Sequence, residues 1–175
     1  MPRDGLAAIL LLGLLPFTAA AQDWTFETDF DDESKQWKEI EAKLPPYPKQ
    51  EGLLPLDAGS ATLHKFFIDA PSLSVGADGV VRYTLVVKSA GGATNVTYEG
   101  IRCELRHQKL YAVGHSDGRW TRARDPRWRR IEYRDVNRHH GVLYSDIVCR
   151  GKETVKNARE ALDALKYGKP VAKVD

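Results

Sequence analysis

The chain has 175 residues, 42% of them hydrophobic and 29% charged, with a formal net charge of +2 at pH 7. This size fits one globular domain with a hydrophobic core, and no segment after residue 21 is apolar enough for a membrane helix. The small net charge hides an asymmetry between positions 22–60 and positions 102–134, which carry about −6 and +6. The acidic segment either lies on the basic segment or leaves it free for an anionic partner.

The first 21 residues have the pattern of a secretory signal peptide. A short start precedes an apolar run over residues 6–15, and Ala19, Ala20 and Ala21 form a small-residue cleavage site. The apolar run is too short to cross a bilayer. The pattern predicts cleavage after Ala21 and export of the mature protein to the periplasm, without a membrane span.

Residues 22–50 are predicted to form an extended arm that precedes the domain. The segment up to Glu41 is acidic, with four aromatic residues spaced among the charges. Three prolines between positions 45 and 48 favour extended, polyproline-like backbone, because proline fixes φ and disfavours helix in the residue before it.

The centre of the chain has the pattern of an antiparallel meander. The triplet Asp69-Ala70-Pro71 is expected to stop the first strand, and the second strand alternates apolar and polar residues like a strand with one buried face. Glycine-containing turns are predicted at residues 78–79, 91–92 and 116–118. The predicted strands are residues 62–68, 81–88, 95–106, 110–113 and 119–122.

The third predicted strand changes the parity of its apolar positions. Tyr98 is at an even position, whereas Ile101 and Cys103 are at odd positions. A single inserted residue exchanges the two faces of a strand. The sequence therefore predicts a β-bulge near Glu99 and Gly100.

Helices are predicted at the carboxyl end. Asn137 is a candidate cap for a short helix up to about Val148, and Thr154 for a second helix that Gly168 and Pro170 end. Strands followed by helices predict an α+β fold, an antiparallel β-meander packed by C-terminal helices with an extended acidic N-terminal arm. The predicted divisions are a signal peptide (1–21), the arm (22–50), the α+β domain (51–150), and a C-terminal helix and tail (151–175).

The mature chain has two cysteines, Cys103 and Cys149. In an oxidising compartment such a pair most simply forms a disulfide. It would close a loop of about 46 residues, which the chain-entropy model values at roughly 4 kcal/mol. A zinc or redox pair is the alternative, but neither further zinc ligands nor C-x-x-C spacing accompanies these cysteines.

Several segments together resemble the CNP-like family of exported proteobacterial proteins. The segment 98–103, Tyr-Glu-Gly-Ile-Arg-Cys, is the most distinctive of them. The resemblance covers most of residues 50–150, implies an exported bacterial protein with one domain, and supplies no catalytic residues. The matching segments are residues 53–56, 66–69, 72–84, 95–103, Trp128 and residues 137–138.

Residues 119–130 form the densest basic and aromatic cluster. Arginine forks bind phosphate or carboxylate, and tryptophan offers a stacking or cation–π surface. The cluster therefore suits an acidic protein, a lipid headgroup or another anionic envelope ligand, and no nucleic acid is expected. A solvated or arm-paired loop is the alternative. The candidate binding residues are Trp120, Arg122, Arg124, Arg127, Trp128, Arg129 and Arg130.

The sequence contains no G-x-S-x-G, H-E-x-x-H, phosphate-loop or zinc pattern, so no catalytic residue, cofactor or metal is assigned. His139 and His140 with Asp146 make a poor metal site, because adjacent helical residues point about 100° apart. Glu99 and Arg102 either pair structurally or orient a ligand beside the disulfide.

Three functional hypotheses follow, of which a non-catalytic periplasmic binding or envelope-interaction module is preferred. The second is a structural or assembly accessory protein whose arm docks on another protein. The third is a small periplasmic hydrolase with His139, His140 or Glu99 near a cleft, which a structure without a pocket beside those residues would exclude.

Overall fold

The computed structural model describes residues 37–59, 62–132 and 138–168. The predicted signal peptide, residues 22–36 of the arm, the helix cap at Asn137 and the helix stop at Pro170 lie outside the described residues. The described residues belong to one unit that begins at Trp37. No helix in these three ranges is long and apolar enough to cross a membrane.

An antiparallel sheet forms the centre of the fold. Its first six strands lie side by side in chain order. A short seventh strand pairs with the fifth strand, along the same edge as the sixth. A short 3-10 turn, Gln50–Gly52, precedes the sheet. The strands are β1 (Leu53–Leu56), β2 (Lys65–Val75), β3 (Val80–Lys88), β4 (Thr94–Arg102), β5 (His107–Gly114), β6 (Trp120–Arg122) and β7 (Arg129–Arg130).

Helical segments follow the meander, which confirms the predicted α+β class. α1 (Arg138–Val142) continues into a π-helical turn (Leu143–Val148). A small hairpin of β8 (Cys149–Arg150) and β9 (Glu153–Thr154) then leads to α2 (Ala158–Tyr167).

The hydrophobic core lies between the helical segments and one face of the sheet, called here the helix face. Tyr83 of β3 and Ile101 of β4 are fully buried there with Leu143 of the π-helical turn. The predicted disulfide is confirmed, since Cys103 and Cys149 are bonded with their Cα atoms 5.6 Å apart. It fastens the end of β4 to the end of the π-helical turn.

Arm residues 37–48 cover the opposite face of the sheet, called here the arm face. Trp120 Nε1 donates a hydrogen bond to the Pro45 carbonyl at 3.0 Å, and Arg82 Nη2 donates to the Ile40 carbonyl at 2.8 Å. Arg82 and Thr84 of β3 are consequently buried. The expectation that β3 has one buried face was wrong, because the arm folds back over the second face.

Glu39 is the main polar anchor of the arm. Its carboxylate accepts hydrogen bonds from Lys109 Nζ at 2.8 Å, Tyr111 OH at 2.8 Å and Trp128 Nε1 at 3.1 Å. Burial alone would raise the pKa of Glu39, but these bonds and the Lys109 charge lower it below its ordinary value. The ionised carboxylate of Glu39 therefore holds the arm on the arm face of the sheet.

The predicted bulge lies at the expected place but on the neighbouring strand. Tyr98 pairs with Ala112 and Glu99 pairs with Leu110, so Tyr111 of β5 is the extra residue. β4 itself keeps a continuous register with β3. The parity of β4 changes because both of its faces are buried, one in the core and one under the arm.

The expected end of the first strand at Asp69-Ala70-Pro71 was wrong, since β2 continues to Val75. Its register against β3 shifts between Asp69 and Ser74. The Ser72 hydroxyl donates to the Asp69 carbonyl at 2.8 Å and accepts from the Thr84 amide at 2.9 Å. The Ser72 side chain thus pairs two backbone groups at the irregularity that accommodates the proline.

The cap of the last helix differs from the expectation. Asn157 caps α2, with its side-chain oxygen accepting from the Glu160 amide at 3.1 Å. Thr154 instead donates its hydroxyl to the Gly79 carbonyl at 2.8 Å. Gly168 ends the helix as predicted, in the left-handed conformation with φ 59°.

Candidate functional site

A polar cleft of about 260 Å³ opens on the helix face of the sheet beside α1. Strand pairing places Glu99 opposite Leu110 and Gln108 opposite Arg129. Residues of four chain segments therefore converge on one opening. The lining residues are Thr97, Glu99, Gln108, Leu110, Asp125, Arg127, Arg129 and His140.

Glu99 is the buried carboxylate of this cleft. Its Oε1 accepts a hydrogen bond from the Thr97 hydroxyl at 2.7 Å, and its Oε2 accepts from the Tyr83 hydroxyl at 3.1 Å. Oε2 also lies 2.7 Å from His140 Nε2. The carboxylate is only 6% exposed, and both of its oxygens are satisfied by protein groups.

Glu99 remains ionised despite its burial. Burial by itself would raise the pKa of Glu99, but the charge and hydrogen bond of His140 and the bond from Thr97 bring it down to about 2. A carboxylate only accepts hydrogen bonds, so Nε2 of His140 carries the hydrogen between them. The pair is a carboxylate-oriented imidazole at the inner end of the cleft.

His139 lies behind His140 in the core. Its ring stacks on Phe66 with centroids 4.7 Å apart and lies 4.1 Å from the ring of His140. Its Nδ1 is buried without a hydrogen-bond partner among the described residues. Burial, reinforced by the His140 charge and opposed by that of Glu99, lowers the pKa of His139 to about 4. His139 is therefore a neutral packing residue at neutral pH.

A second opening of about 140 Å³ adjoins the polar cleft. It shares Gln108, Arg129 and His140 with the larger cleft and adds Arg130, Ile131 and Glu132. His140 is thus the helical residue that borders both openings.

The arginines of the polar cleft are only partly paired. Arg127 donates to Asp125 from Nε at 2.7 Å, and Arg129 Nη2 lies 3.8 Å from the same carboxylate. Their side chains are 75% and 64% exposed. Among the described residues, one exposed carboxylate therefore faces two guanidinium groups, which together have more donors than it can accept from.

The structure separates the seven predicted binding residues into three sets. Arg127 and Arg129 line the polar cleft, and Arg130 lines the adjoining opening. Trp120 and Trp128 instead hydrogen-bond to the arm on the other face of the sheet.

The two remaining arginines lie outside the polar cleft. Arg122 Nη2 is 3.9 Å from Glu41 of the arm. Arg124 is exposed and has no ion pair within the part of the chain that the structure describes. Whether the seven residues bind a ligand stays a prediction, but they do not form one continuous surface.

Glu99 and Arg102, considered as a pair from the sequence, are on opposite faces of β4. Arg102 pairs with Glu104 and lies over the Trp37 ring at 3.8 Å. Asp146 lines a separate groove, and no group of three or more acidic, cysteine or histidine side chains among the described residues is arranged to hold a metal ion.

The separate groove is larger, at about 550 Å³, and lies between β1, the π-helical turn and α2. Its lining is mainly aliphatic, with Leu56, Ile147 and Leu165 among the contributing residues. It contains no charge-paired buried group like Glu99 with His140. The smaller polar cleft is therefore the better candidate for specific chemistry.

Comparison with known proteins places the chain in a family. The model of the CNP1-like family matches residues 32–166, well over half of the chain. The chain belongs to the CNP1-like family. The match includes the whole described arm and α2 up to Lys166, beyond the region of about residues 50–150 that the sequence motifs indicated.

One CNP1-like relative is cryptic neisserial protein 1 of Neisseria gonorrhoeae (strain ATCC 700825 / FA 1090), which is 28% identical over 120 residues. The aligned part covers 60% of this chain and 59% of the relative, so the chain spans about six tenths of that protein. No solved structure matches the chain.

Proposed function

We propose that this CNP1-like protein is an exported, non-catalytic binding module whose polar cleft takes a small ligand bearing an oxyanion. The observation that carries the proposal is the presence of Arg127 and Arg129 at the same opening as the buried Glu99–His140 pair. A cleft of about 260 Å³ suits a small molecule or one terminal group of a larger one.

The charges of the cleft favour an oxyanion at its arginine side. Arginine presents several N–H donors in a planar fork that matches carboxylate and phosphate oxygens. Asp125 occupies only part of this donor set, and its exposed ion pairs with Arg127 and Arg129 are weak. A ligand oxyanion therefore competes with one carboxylate for two guanidinium groups.

The proposal is tested by calorimetric titration with sulfate at pH 6.0 and constant ionic strength. The double variant Arg127→Ser/Arg129→Ser is expected to weaken sulfate binding by about tenfold or more, since each charged hydrogen bond contributes about 1.5–3 kcal/mol. Arg119→Ser/Arg122→Ser removes the same charge from outside the cleft and should leave binding within about twofold.

The control is well matched, because Arg119 pairs with Asp117 at 2.7 Å much as Arg127 pairs with Asp125 at 2.6 Å. An equal loss in both double variants would mean that general positive charge, rather than the cleft, holds sulfate. Absence of saturable binding in the unaltered protein would contradict the proposal.

The location in the periplasm is part of the proposal and has its own test. Fractionation of the native host with amino-terminal sequencing should find a mature protein that starts at Gln22 in the periplasmic fraction. A cytoplasmic protein that retains residues 1–21 would remove the envelope role.

A hydrolase is the second candidate, favoured by the 2.7 Å Glu99–His140 contact at the edge of a cleft. Glutamate-oriented histidine is a recurring general base. Among the described residues that line the cleft, only Thr97 has a hydroxyl, and it is already donated to Glu99. A hydrolase would therefore have to activate water directly, and hydrolysis of phosphate or carboxylate esters that is lost in His140→Gln would favour this function over simple binding.

A further inference from the structure

His140 stands between a buried anion and an exposed group of cations. Its Nε2 lies 2.7 Å from Glu99, and its side chain borders both the polar cleft and the adjoining opening. The side chain is 10% exposed, so it is mostly buried yet reaches the lining of the cleft.

The two ring nitrogens of His140 have different constraints. Nε2 carries its hydrogen in both protonation states, because the ionised Glu99 only accepts. Nδ1 presents a lone pair in the neutral ring and an N–H donor in the protonated ring. The lone pair repels an oxyanion, whereas the N–H donor binds one.

The charges around His140 link its protonation to the occupancy of the cleft. Glu99 contacts one ring nitrogen of His140, and Arg127 and Arg129 lie at the same opening. A bound oxyanion offsets the arginines, so it makes protonation of His140 more favourable. The titratable and charged groups that line these openings or contact the ring are Glu99, Asp125, Glu132, Arg127, Arg129, Arg130 and His139.

We infer that His140 contacts the bound oxyanion through protonated Nδ1, so that ligand binding takes up one proton at this residue. The inference rests on the proposed function of the polar cleft. By thermodynamic reciprocity, a proton that improves oxyanion binding is itself held more tightly in the complex. The affinity for an oxyanion should therefore fall as the pH rises.

The test uses sulfate, which stays fully ionised between pH 5.5 and 8.0. Calorimetric titrations at each pH, repeated in buffers with different heats of ionisation, give both the affinity and the number of protons taken up. We expect sulfate binding to weaken by about tenfold or more from pH 5.5 to pH 8.0, with an uptake that approaches one proton per bound sulfate.

Two variants assign the proton to His140. His140→Gln keeps a donor for Glu99 but cannot be protonated, so its sulfate binding should be weaker at pH 5.5 and nearly independent of pH. His115→Gln removes an exposed histidine from a different turn and should keep the original pH dependence. His139 stays neutral over this range because its pKa is lowered to about 4.

The outcomes separate this inference from the proposed function. One outcome is that sulfate binds in the cleft without proton uptake and with equal affinity at pH 5.5 and pH 8.0. This result would overturn the role of His140 and leave oxyanion binding intact. No binding at any pH would overturn both. Unaltered proton uptake in His140→Gln, with the fold verified by circular dichroism, would also overturn the inference.

Discussion

Gly100 has no side chain, which leaves room for the Tyr111 side chain that contacts the arm. A Cβ at this position would lie 2.8 Å from Cε2 and 2.9 Å from the hydroxyl of Tyr111, and 3.1 Å from Cγ1 of Val80. Tyr111 is the residue that donates to Glu39. Gly100→Ala should therefore displace Tyr111 and cost about 1–3 kcal/mol in the free energy of unfolding, measured by urea denaturation.

Gly91→Ala is the matched control for this prediction. Gly91 lies in the exposed turn between β3 and β4, and the nearest atom to an added Cβ there is Ser89 Oγ at 4.0 Å. Its unfolding free energy should change by less than about 0.5 kcal/mol. Equal stability of the two variants would show that Tyr111 has room to move.

His139 makes the stability of the fold depend on pH. Its pKa is lowered from 6.5 to about 4 by burial. Its stabilising contribution is therefore fully present above pH 6.5, and it is lost as the pH falls towards 4, because the unfolded chain binds the proton first. Between pH 7.5 and pH 5.0 this loss amounts to about 2 kcal/mol.

The prediction is checked with His139→Phe, which keeps a ring on Phe66 and removes the unpartnered nitrogen. When the pH drops from 7.5 to 5.0, the free energy of unfolding in urea should fall more for the unaltered protein than for His139→Phe. The difference between the two losses should be about 2 kcal/mol. His64 is exposed, so His64→Phe serves as control and should lose as much unfolding free energy as the unaltered protein. The same loss in His139→Phe would assign the acid sensitivity elsewhere.

Among the elements, arm residues 37–48 behave as part of the fold rather than as a free tail, and Glu39 is their critical contact. Glu39→Gln leaves Lys109 without an anionic partner and weakens the bonds from Tyr111 and Trp128. We expect a loss of about 1–2 kcal/mol and faster amide hydrogen exchange across residues 37–48.

Glu41→Gln removes the same charge two residues further along the arm. The Glu41 side chain is 88% exposed, and the nearest cationic atom, Arg122 Nη2, is 3.9 Å away. In this variant, amide hydrogens across residues 37–48 should exchange as slowly as in the unaltered protein. If both variants exchange equally fast, the net charge of the arm rather than the Glu39 contact holds it in place.

The meander could be predicted from the sequence because its information is local. β3 alternates apolar and polar residues from Val81 to Leu85, and a glycine turn precedes β4. The two-residue strand β7 could not be predicted, since only pairing with β5 defines it. The π-helical turn that follows α1 also has no local sequence signal of the kind that caps or prolines provide.

The candidate site was only partly predictable for a related physical reason. The arginines of the cleft were identified from composition, and Glu99 and His140 were each noted as candidates. Their mutual contact joins positions 41 residues apart, and the periodicity of hydrophobic residues gives no information about such distant contacts. The disulfide was predictable at a similar separation because cysteines in an oxidising compartment have few alternatives.

At the scale of the whole molecule, the described part of the acidic arm pairs with basic residues on the arm face of the sheet. The arm brings Glu39 and Glu41 to Lys109 and Arg122 on the arm face of the sheet. Arg127 and Arg129 lie at the edge of the helix face, where Asp125 is their ion-pair partner among the described residues. Within the part of the chain that the structure describes, the arm therefore pairs with Lys109 and Arg122 and not with the two arginines of the polar cleft.

The most direct test of oxyanion binding in the polar cleft is a sulfate titration of ¹⁵N-labelled protein at pH 6.0, followed by two-dimensional NMR. We predict saturable shift changes at the amides of Thr97, Gln108, Arg127 and Arg129 and at the ring of His140, with little change at Arg119. Changes confined to the arm face, or a linear drift without saturation at any cleft residue, would contradict the proposed binding function.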